Sequence, residues 1–523
     1  MGLTSNVVKP GNGTPASTTA ATKLASYAPA TGELIGEVPI STKDDVVAVV
    51  VRARRAQQAW AVLPVQERCD RLLRFRDAIT ERQTEVVDLL SRECGKPKHE
   101  ALVHEVMTTL DLLTYYAKNA ARILAPHDYP LHLMVHRRAY AAYVPRGVVG
   151  VISPWNFPLV LSMTDAIAAL VTGSAVVVKP SEVTPLIVQK MKEIYDSTGL
   201  PEDLFAVVHG YGATGQALVE AGIQKLCFTG GVETGKRVAA ACGARLIPCV
   251  MELGGKAPLV ACADADVEKT ARAIVFGGFC NSGQVCISVE RVYANQAIYE
   301  PLVRRVKELT LELRQGDPAT DFVDIGAIIF PKQIEIAEKH IADAVAKGAE
   351  IVTGGNRKPG PGQFFEPTVL ANCTEGMTVM NEEIFGPVVP IQEVASDEEA
   401  ILLSNRSHLG LNAYVFTKDR AKGRRIAERI EAGSVLVNDV VSNYACAEVP
   451  FGGIKDSGFG RVHGEDALRE MAERRVVMDD RVPMPARNPL WFPYGRDSYL
   501  FFQKTVRVLF GGGSIAKKIS ELL

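Results

Sequence analysis

Apolar positions along the chain fall into three regimes. From Gln66 to Cys94 they recur at helical spacing (Leu72, Leu73, Phe75, Ile79, Val86, Val87, Leu90). That stretch ends at Gly95-Lys96-Pro97, which reads as a helix stop. Residues 44–120 are predicted to be mainly helical. Residues 131–144 instead alternate and are rich in strand formers, which predicts an extended segment or hairpin. From 147 onward short continuous apolar runs take over: Val148–Ile152, Ala175–Lys179, Phe205–His209, Lys225–Thr229 and Cys249–Leu253. Helical patterns near 163–171, 184–197, 213–221 and 234–242 separate them. Runs of this kind joined by helices predict buried parallel strands and crossover connections.

A second series follows Gly254. Strands are expected at Ala257–Val260, Ser288–Ala294, near 350 and near 434, with helices near 267–277, Tyr299–Leu313 and 332–347. The predicted class is α/β, with two doubly wound domains and a small β bridging element. The expected division is residues 26–130 with 145–253 for a nucleotide-binding domain and 254–456 for a second α/β domain. Residues 131–144 with 457–480 would form the bridging or oligomerisation element, residues 1–25 a flexible lead-in, and 481–523 a C-terminal extension.

That extension is unusual. Asn488 to Tyr494 is aromatic and punctuated by proline, and Tyr499 to Phe510 is apolar apart from Gln503, Lys504 and Arg507. It is too short to cross a hydrocarbon layer of roughly 30 Å. Packing on the body or a neighbouring subunit, peripheral membrane contact by 490–523, and a lid over a substrate tunnel all remain open.

Composition narrows the function. With 523 residues, 47% hydrophobic and 23% charged, the chain is globular and larger than one ordinary core. A net charge of -2 lends nothing to a nucleic-acid partner. The ten cysteines have no C-x-x-C spacing and the nine histidines no HExxH, so no metal site is expected. Scattered thiols suit a reducing cytoplasm. The N-terminus has no basic region followed by an apolar run, and no segment of about 18 apolar residues exists.

Three residues carry candidate chemistry. Cys286 follows small and polar residues (Asn281-Ser282-Gly283-Gln284), a setting that suits an exposed thiol. A single cysteine is more often structural, and its thiolate attacks carbonyls well only if its pKa is lowered. Glu252 ends an apolar run, either paired with nearby Lys256 or functional. Asn156, in Pro154-Trp155-Asn156-Phe157-Pro158, is either a turn residue or an amide donor to an oxyanion. Lys179-Pro180-Ser181-Glu182 ends a strand, where ligands of open α/β sheets bind. Phe228-Thr229-Gly230-Gly231 leads into a helix whose first N–H groups suit a pyrophosphate, with no G-x-G-x-x-G.

In this order, with Glu382-Glu383-Ile384-Phe385-Gly386-Pro387 and Pro450 to Gly458, these motifs resemble the aldehyde dehydrogenase superfamily over about Ser26 to Val477. The resemblance implies oxidation of an aldehyde to an acid with NAD, NADP being possible, in a homodimer or homotetramer. It makes Cys286 the nucleophile, Glu252 the general base, and the Asn156 amide with the Cys286 N–H the oxyanion hole. Lys179 and Glu182 would hold the adenosine ribose, and Gly230, Gly231 and Gly235 would line the pyrophosphate turn. Glu383 would hold the nicotinamide ribose beside Phe385. Ile152, Pro154, Trp155, Ser181, Phe228, Thr229 and Leu253 complete the implied cofactor set. Gly231 stands where the family usually has a polar residue. A carboxylate at Glu182 would repel a 2′-phosphate, favouring NAD. Members that pass the acyl group to coenzyme A typically lack the glutamate, so hydrolysis is expected. Apolar Val285 and Ile287 beside the nucleophile suggest a hydrophobic aldehyde, whereas Cys286 to Arg291 also resembles succinate-semialdehyde enzymes. A non-catalytic member would be expected to have lost Cys286 or Glu252. A cofactor-free thiol hydrolase would need a Cys–His pair in space.

Overall fold

A computed structural model describes residues 22–483, 488 and 490–512. Most of the expected lead-in lies outside these residues. Its last part does not behave as a lead-in, because Lys23–Tyr27 pairs antiparallel with Leu34–Pro39. Leu24 and Ser26 of that strand are buried, and the Ser26 hydroxyl donates to Glu93 at 2.9 Å.

The helical first region is interrupted where local geometry requires it. Helices Val65–Glu81 and Gln83–Cys94 are separated at Arg82, and the second ends on Gly95 at φ +62°. A left-handed residue there closes the helix as its sequence anticipates.

The first large sheet has six strands in the order Gly458–Phe459, Cys249–Glu252, Lys225–Thr229, Val148–Ile152, Ala175–Lys179, Phe205–Val207. All are parallel except the short first strand, which pairs antiparallel with Cys249–Glu252. Chain order reverses direction at Val148–Ile152. Its neighbours are the next strand on one side and Lys225–Thr229 on the other. Open sheets of this type bind ligands at the carboxyl ends flanking such a switch.

The second sheet has seven strands: Glu350–Thr353, Thr368–Ala371, Val388–Val394, Arg291–Asn295, Pro258–Ala261, Asn412–Phe416 and Ser434–Val437. Separate hydrophobic clusters surround this sheet, while the first sheet and the N-terminal helices share one large cluster. The strands at 368–371, 388–394 and 412–416 were not anticipated. The strand expected over 288–294 is Arg291–Asn295.

The chain divides into two compact units. One takes the described residues through Ala125 together with Tyr143–Glu473; the other takes Pro126–Ala142 and the described residues from Arg474 onward. The second unit therefore takes up the chain again at Arg474, and residues 457–473, expected with the bridging element, fall in the first unit. Gly458–Phe459 is a strand of the first sheet, and helix Gly464–Glu470 packs on helices Thr108–Ile123 and Pro158–Thr172. Within the second unit His127–Tyr129 pairs with Arg137 onward, whose other side carries the strand running to Asp480. Residues 131–136, expected to be part of the extended segment, are irregular chain with a bend at 132–133 and a turn at 135–136.

Candidate active site

The three chemical candidates come from three distant segments and meet in one cavity of about 280 Å³, lined by Asn156, Glu252 and Cys286. Leu253, Glu383 and Phe385 also line it, with Gln333 and Ile336 from helix Lys332–Ala346.

Cys286 is reached through a strained turn. Asn281, Ser282 and Gly283 all have left-handed backbone, at φ +49°, +57° and +72°. Consecutive left-handed residues persist only where surroundings over-determine them, as at functional sites. A Cβ on Gly283 would lie 2.2 Å from the Gly386 carbonyl oxygen, so no side chain fits there. The Asn281 N–H donates to Glu100 at 2.9 Å and its amide to the Asn156 carbonyl at 3.0 Å. Val285 and Ile287 are core residues, 4% and 2% exposed, and neither faces the cavity. Their apolar character therefore says nothing about the substrate, contrary to expectation.

Asn156 is held from behind. Its amide donates to the Gln284 carbonyl at 3.0 Å, and its own carbonyl accepts from Lys96 Nζ at 2.8 Å. Lys96 forms a fully buried ion pair with Glu105, whose other oxygen accepts from the N–H groups of Leu159 (2.8 Å) and Val160 (3.2 Å) at the start of helix Pro158–Thr172. A charge at a helix N-terminus satisfies otherwise orphaned donors. Lys96, legible in the sequence only as part of a helix stop, is thus a support of the site.

Glu252 is 6% exposed, and its Oε1 has no hydrogen-bond partner among the described residues. Burial, then the nearby Asp165 carboxyl, holds its pKa well above the ordinary carboxylate range. The expected alternative partner, Lys256, is taken by Glu290 at 2.7 Å. That carboxylate also accepts from the N–H groups of Ile384 and Phe385 at 3.1 Å. It so fixes the segment carrying Glu383 and Phe385, the latter at φ +56°. Burial raises Glu383 to about 8, and it accepts from the Gly255 N–H at 2.8 Å.

The Cys286 thiol is pushed up to about 12, first by burial and then by Glu252 and Glu383; the N–H groups of Cys286 and Ile287 oppose the shift. The expectation of a lowered pKa is not met, because the thiol is buried and, among the described residues, the cavity is lined by two carboxyls and no cation. A cysteine–histidine contact does exist, but at Cys280, whose Sγ lies 3.6 Å from His104 Nδ1. Glu100, His104 and Cys280 bring three ligand-type atoms within 4.8 Å, a grouping that the sequence spacing does not reveal.

A larger cleft of about 610 Å³ lies at the switch point and shares Pro154, Trp155, Thr229, Gly230 and Gly231 with the catalytic cavity. Ile152, Lys179, Ser181, Glu182 and Phe228 line it as expected. Lys179 pairs with Glu182 at 3.2 Å. Gly231 caps helix Val232–Gly243, and the place of its missing Cβ is open space. Gly235 does not line the cleft: a Cβ there would lie 2.4 Å from Leu253, so its smallness serves packing. Arg237 and Gln216, unmarked in the sequence, also face the cleft. The lining suits a dinucleotide, with a helix N-terminus, two cations and a carboxylate facing the cleft.

Comparison with known proteins agrees with this geometry. The sequence profile of the aldehyde dehydrogenase family matches residues 16–477. The 4,4'-diapolycopene aldehyde oxidase of Methylomonas sp is 36% identical over 510 residues, covering 95% of this chain and 93% of that one, so the match runs past Val477. A protein of Mycolicibacterium smegmatis, provisionally named an NADP(+) succinate-semialdehyde dehydrogenase, is 39% identical over 472 residues, 88% of this chain and 90% of that one. Among solved structures, Mycobacterium tuberculosis aldehyde dehydrogenase complexed with NAD+ superposes with a TM-score of 0.84 at 32% identity, covering 90% of this chain and 96% of that one. The chain belongs to the aldehyde dehydrogenase family and is an aldehyde-oxidising enzyme of mixed α/β fold.

Proposed function

We propose that the chain oxidises an apolar aldehyde to its carboxylic acid with NAD or NADP, through a covalent intermediate on Cys286. The observation that carries this reading is the meeting of Cys286, Glu252 and Asn156 in one cavity continuous with the switch-point cleft.

The Cys286 thiolate adds to the aldehyde carbon. The oxygen of the resulting thiohemiacetal takes hydrogen bonds from the Asn156 amide and the Cys286 N–H, donors worth roughly 3–4 kcal/mol each when charge develops on oxygen. A bound nicotinamide ring supplies the hydride acceptor. Glu252 then takes a proton from water, which attacks the thioester and releases the acid and the thiol. Because Cys286 and Glu252 both have raised pKa values and both act deprotonated, activity is present on the alkaline side and falls as pH drops. Cys286→Ala is expected to abolish oxidation, and Glu252→Gln to give a single burst of reduced cofactor without turnover. Full steady-state turnover in Glu252→Gln would remove it from the role of base. Acyl-CoA formation on adding coenzyme A would replace hydrolysis with transfer.

The half built on the six-stranded sheet is assigned the cofactor, and the half built on the seven-stranded sheet the nucleophile. Glu182 disfavours a 2′-phosphate, whereas the Arg237 guanidinium on the same cleft favours one, which supports use of both cofactors. The structures of relatives with NAD+ and the NADP(+) in relatives' names agree.

For the substrate, an uncharged aldehyde is favoured over a semialdehyde bearing a carboxylate. None of the side chains lining the catalytic cavity is basic. The small void behind Cys286 adds Asp165, Tyr444, Phe451 and Val462. A substrate carboxylate would enter beside Glu252, Glu383 and Asp165 with no lining cation to meet it. A panel of linear aldehydes against succinic semialdehyde decides this: kcat/KM is expected to rise with chain length, and a preference for the semialdehyde would reverse the assignment.

Ten free cysteines support a reducing compartment, the cytoplasm. The exposed strand ending at Asp480, at the edge of its three-stranded sheet, with Val476 and Met478 facing outward, supports pairing with a second copy.

A further inference from the structure

The C-terminal helix Arg496–Phe510 contains no buried residue. Tyr499, Val506 and Phe510, at spacings of seven and four, share one stripe and are 67%, 56% and 68% exposed. Arg496 and Arg507, eleven apart, run along the edge of that stripe, and both are exposed. Just before the helix, Trp491, Phe492 and Tyr494 are also exposed. Isolated apolar residues on a surface are ordinary, but a helix stripe adjoined by exposed aromatics marks a site of contact.

Charge identifies the partner. Residues 481–523 contain seven Lys or Arg against two Asp or Glu, a net +5, while residues 1–480 contain fifty-one against fifty-eight, a net -7. Two copies of a +5 segment repel when brought face to face, which argues against self-pairing through this surface. A negatively charged layer with an apolar interior answers both the basic edge and the apolar stripe. Among the described residues no helix is long and apolar enough to cross a membrane. Fifteen residues span about 22 Å, less than a hydrocarbon core of roughly 30 Å. Trp and Tyr are the side chains that settle at headgroup level.

We propose that this extension docks the enzyme on the surface of an anionic lipid bilayer, with the stripe of Tyr499, Val506 and Phe510 entering the headgroup boundary and Arg496, Lys504 and Arg507 meeting lipid phosphates. This deepens the assignment of an apolar aldehyde, a substrate class that partitions into lipid, but its test does not depend on that assignment.

The test is co-sedimentation of the full-length protein with vesicles of phosphatidylcholine alone and of phosphatidylcholine with phosphatidylglycerol. The expected result is roughly tenfold more protein bound to the anionic vesicles at low salt, with most of the excess lost at high salt. The double variant Val506→Asp/Phe510→Asp and the triple variant Arg496→Glu/Lys504→Glu/Arg507→Glu should each lose that binding while oxidising a short soluble aldehyde at the parent rate. Background binding to anionic vesicles overturns the proposal, as does unchanged binding in both variants. So does a Val506→Asp/Phe510→Asp protein whose oligomer falls apart in size-exclusion chromatography while the parent binds no vesicles, since the stripe is then a contact between copies.

Discussion

Two ion pairs stand beside the two parts of this site and differ in kind. Lys96–Glu105, behind Asn156, has both side chains fully buried and every other polar contact directed at the backbone of the catalytic segment. Lys179–Glu182, in the switch-point cleft, leaves its glutamate 40% exposed. The Asn156 side is thus held by buried polar contacts that the fold cannot lose without leaving a charge unpaired in a low-dielectric interior. The cleft side has a pair that can separate when a ligand competes for either partner. On the proposed function, placement of the Asn156 amide needs rigidity, and admission of a large polar ligand needs groups that can exchange partners.

The comparison breaks most sharply at Glu105. Glu105→Gln leaves Lys96 buried without its counter-ion and should lower stability by about 3–5 kcal/mol in denaturant unfolding, with a fall in kcat from the loosened Asn156. A loss below about 1 kcal/mol would mean that the pair is not the support described. A smaller effect separates two thiols on the segments leading to the site. Cys249, which begins the strand ending at Glu252, is lowered to about 7, chiefly by its hydrogen bond from Cys242. Cys286 is held near 12. Thiolate is the reactive form, so at about pH 8 iodoacetamide should label Cys249 before Cys286 in the cofactor-free protein. Peptide mapping with Cys286 labelled first would contradict the buried, carboxyl-lined cavity. The smallest effects belong to the cleft. Glu182→Gln should change stability by less than about 1 kcal/mol and lower KM for NADP severalfold, and Arg237→Ala should raise it, with kcat retained in both. Equal shifts for NAD and NADP would place neither residue near the 2′ position.

The sequence exposed these regions unevenly. The strands Val148–Ile152, Ala175–Lys179 and Lys225–Thr229 were legible because continuous apolar runs flanked by helical patterns have few other solutions. Val388–Val394 and Asn412–Phe416 escaped because Pro390 and Gln392, and Asn412, interrupt the run, although most of these residues are buried. Cys286, Glu252 and Asn156 were each ambiguous singly and pointed to one site only as an ordered set; the structure brings them to one cavity. Their supports were not readable, because partner choice is a tertiary matter. Lys256 stands four residues from Glu252, yet it pairs with Glu290 instead. The raised Cys286 pKa was also hidden, since it depends on how much water the fold removes and on Glu383, ninety-seven residues away. The terminal apolar run was visible, but its helical form and its lack of any buried residue were not.

Gly283 rests directly against the Gly386 carbonyl, with no room for even a methyl group between them. The loop that delivers the sulfur and the loop that bears Phe385 therefore travel as one mechanical part. Variation that retunes substrate choice has to come from the replaceable walls around that part, at Leu161, Gln333 or Ile336, because Gly283 itself tolerates no exchange.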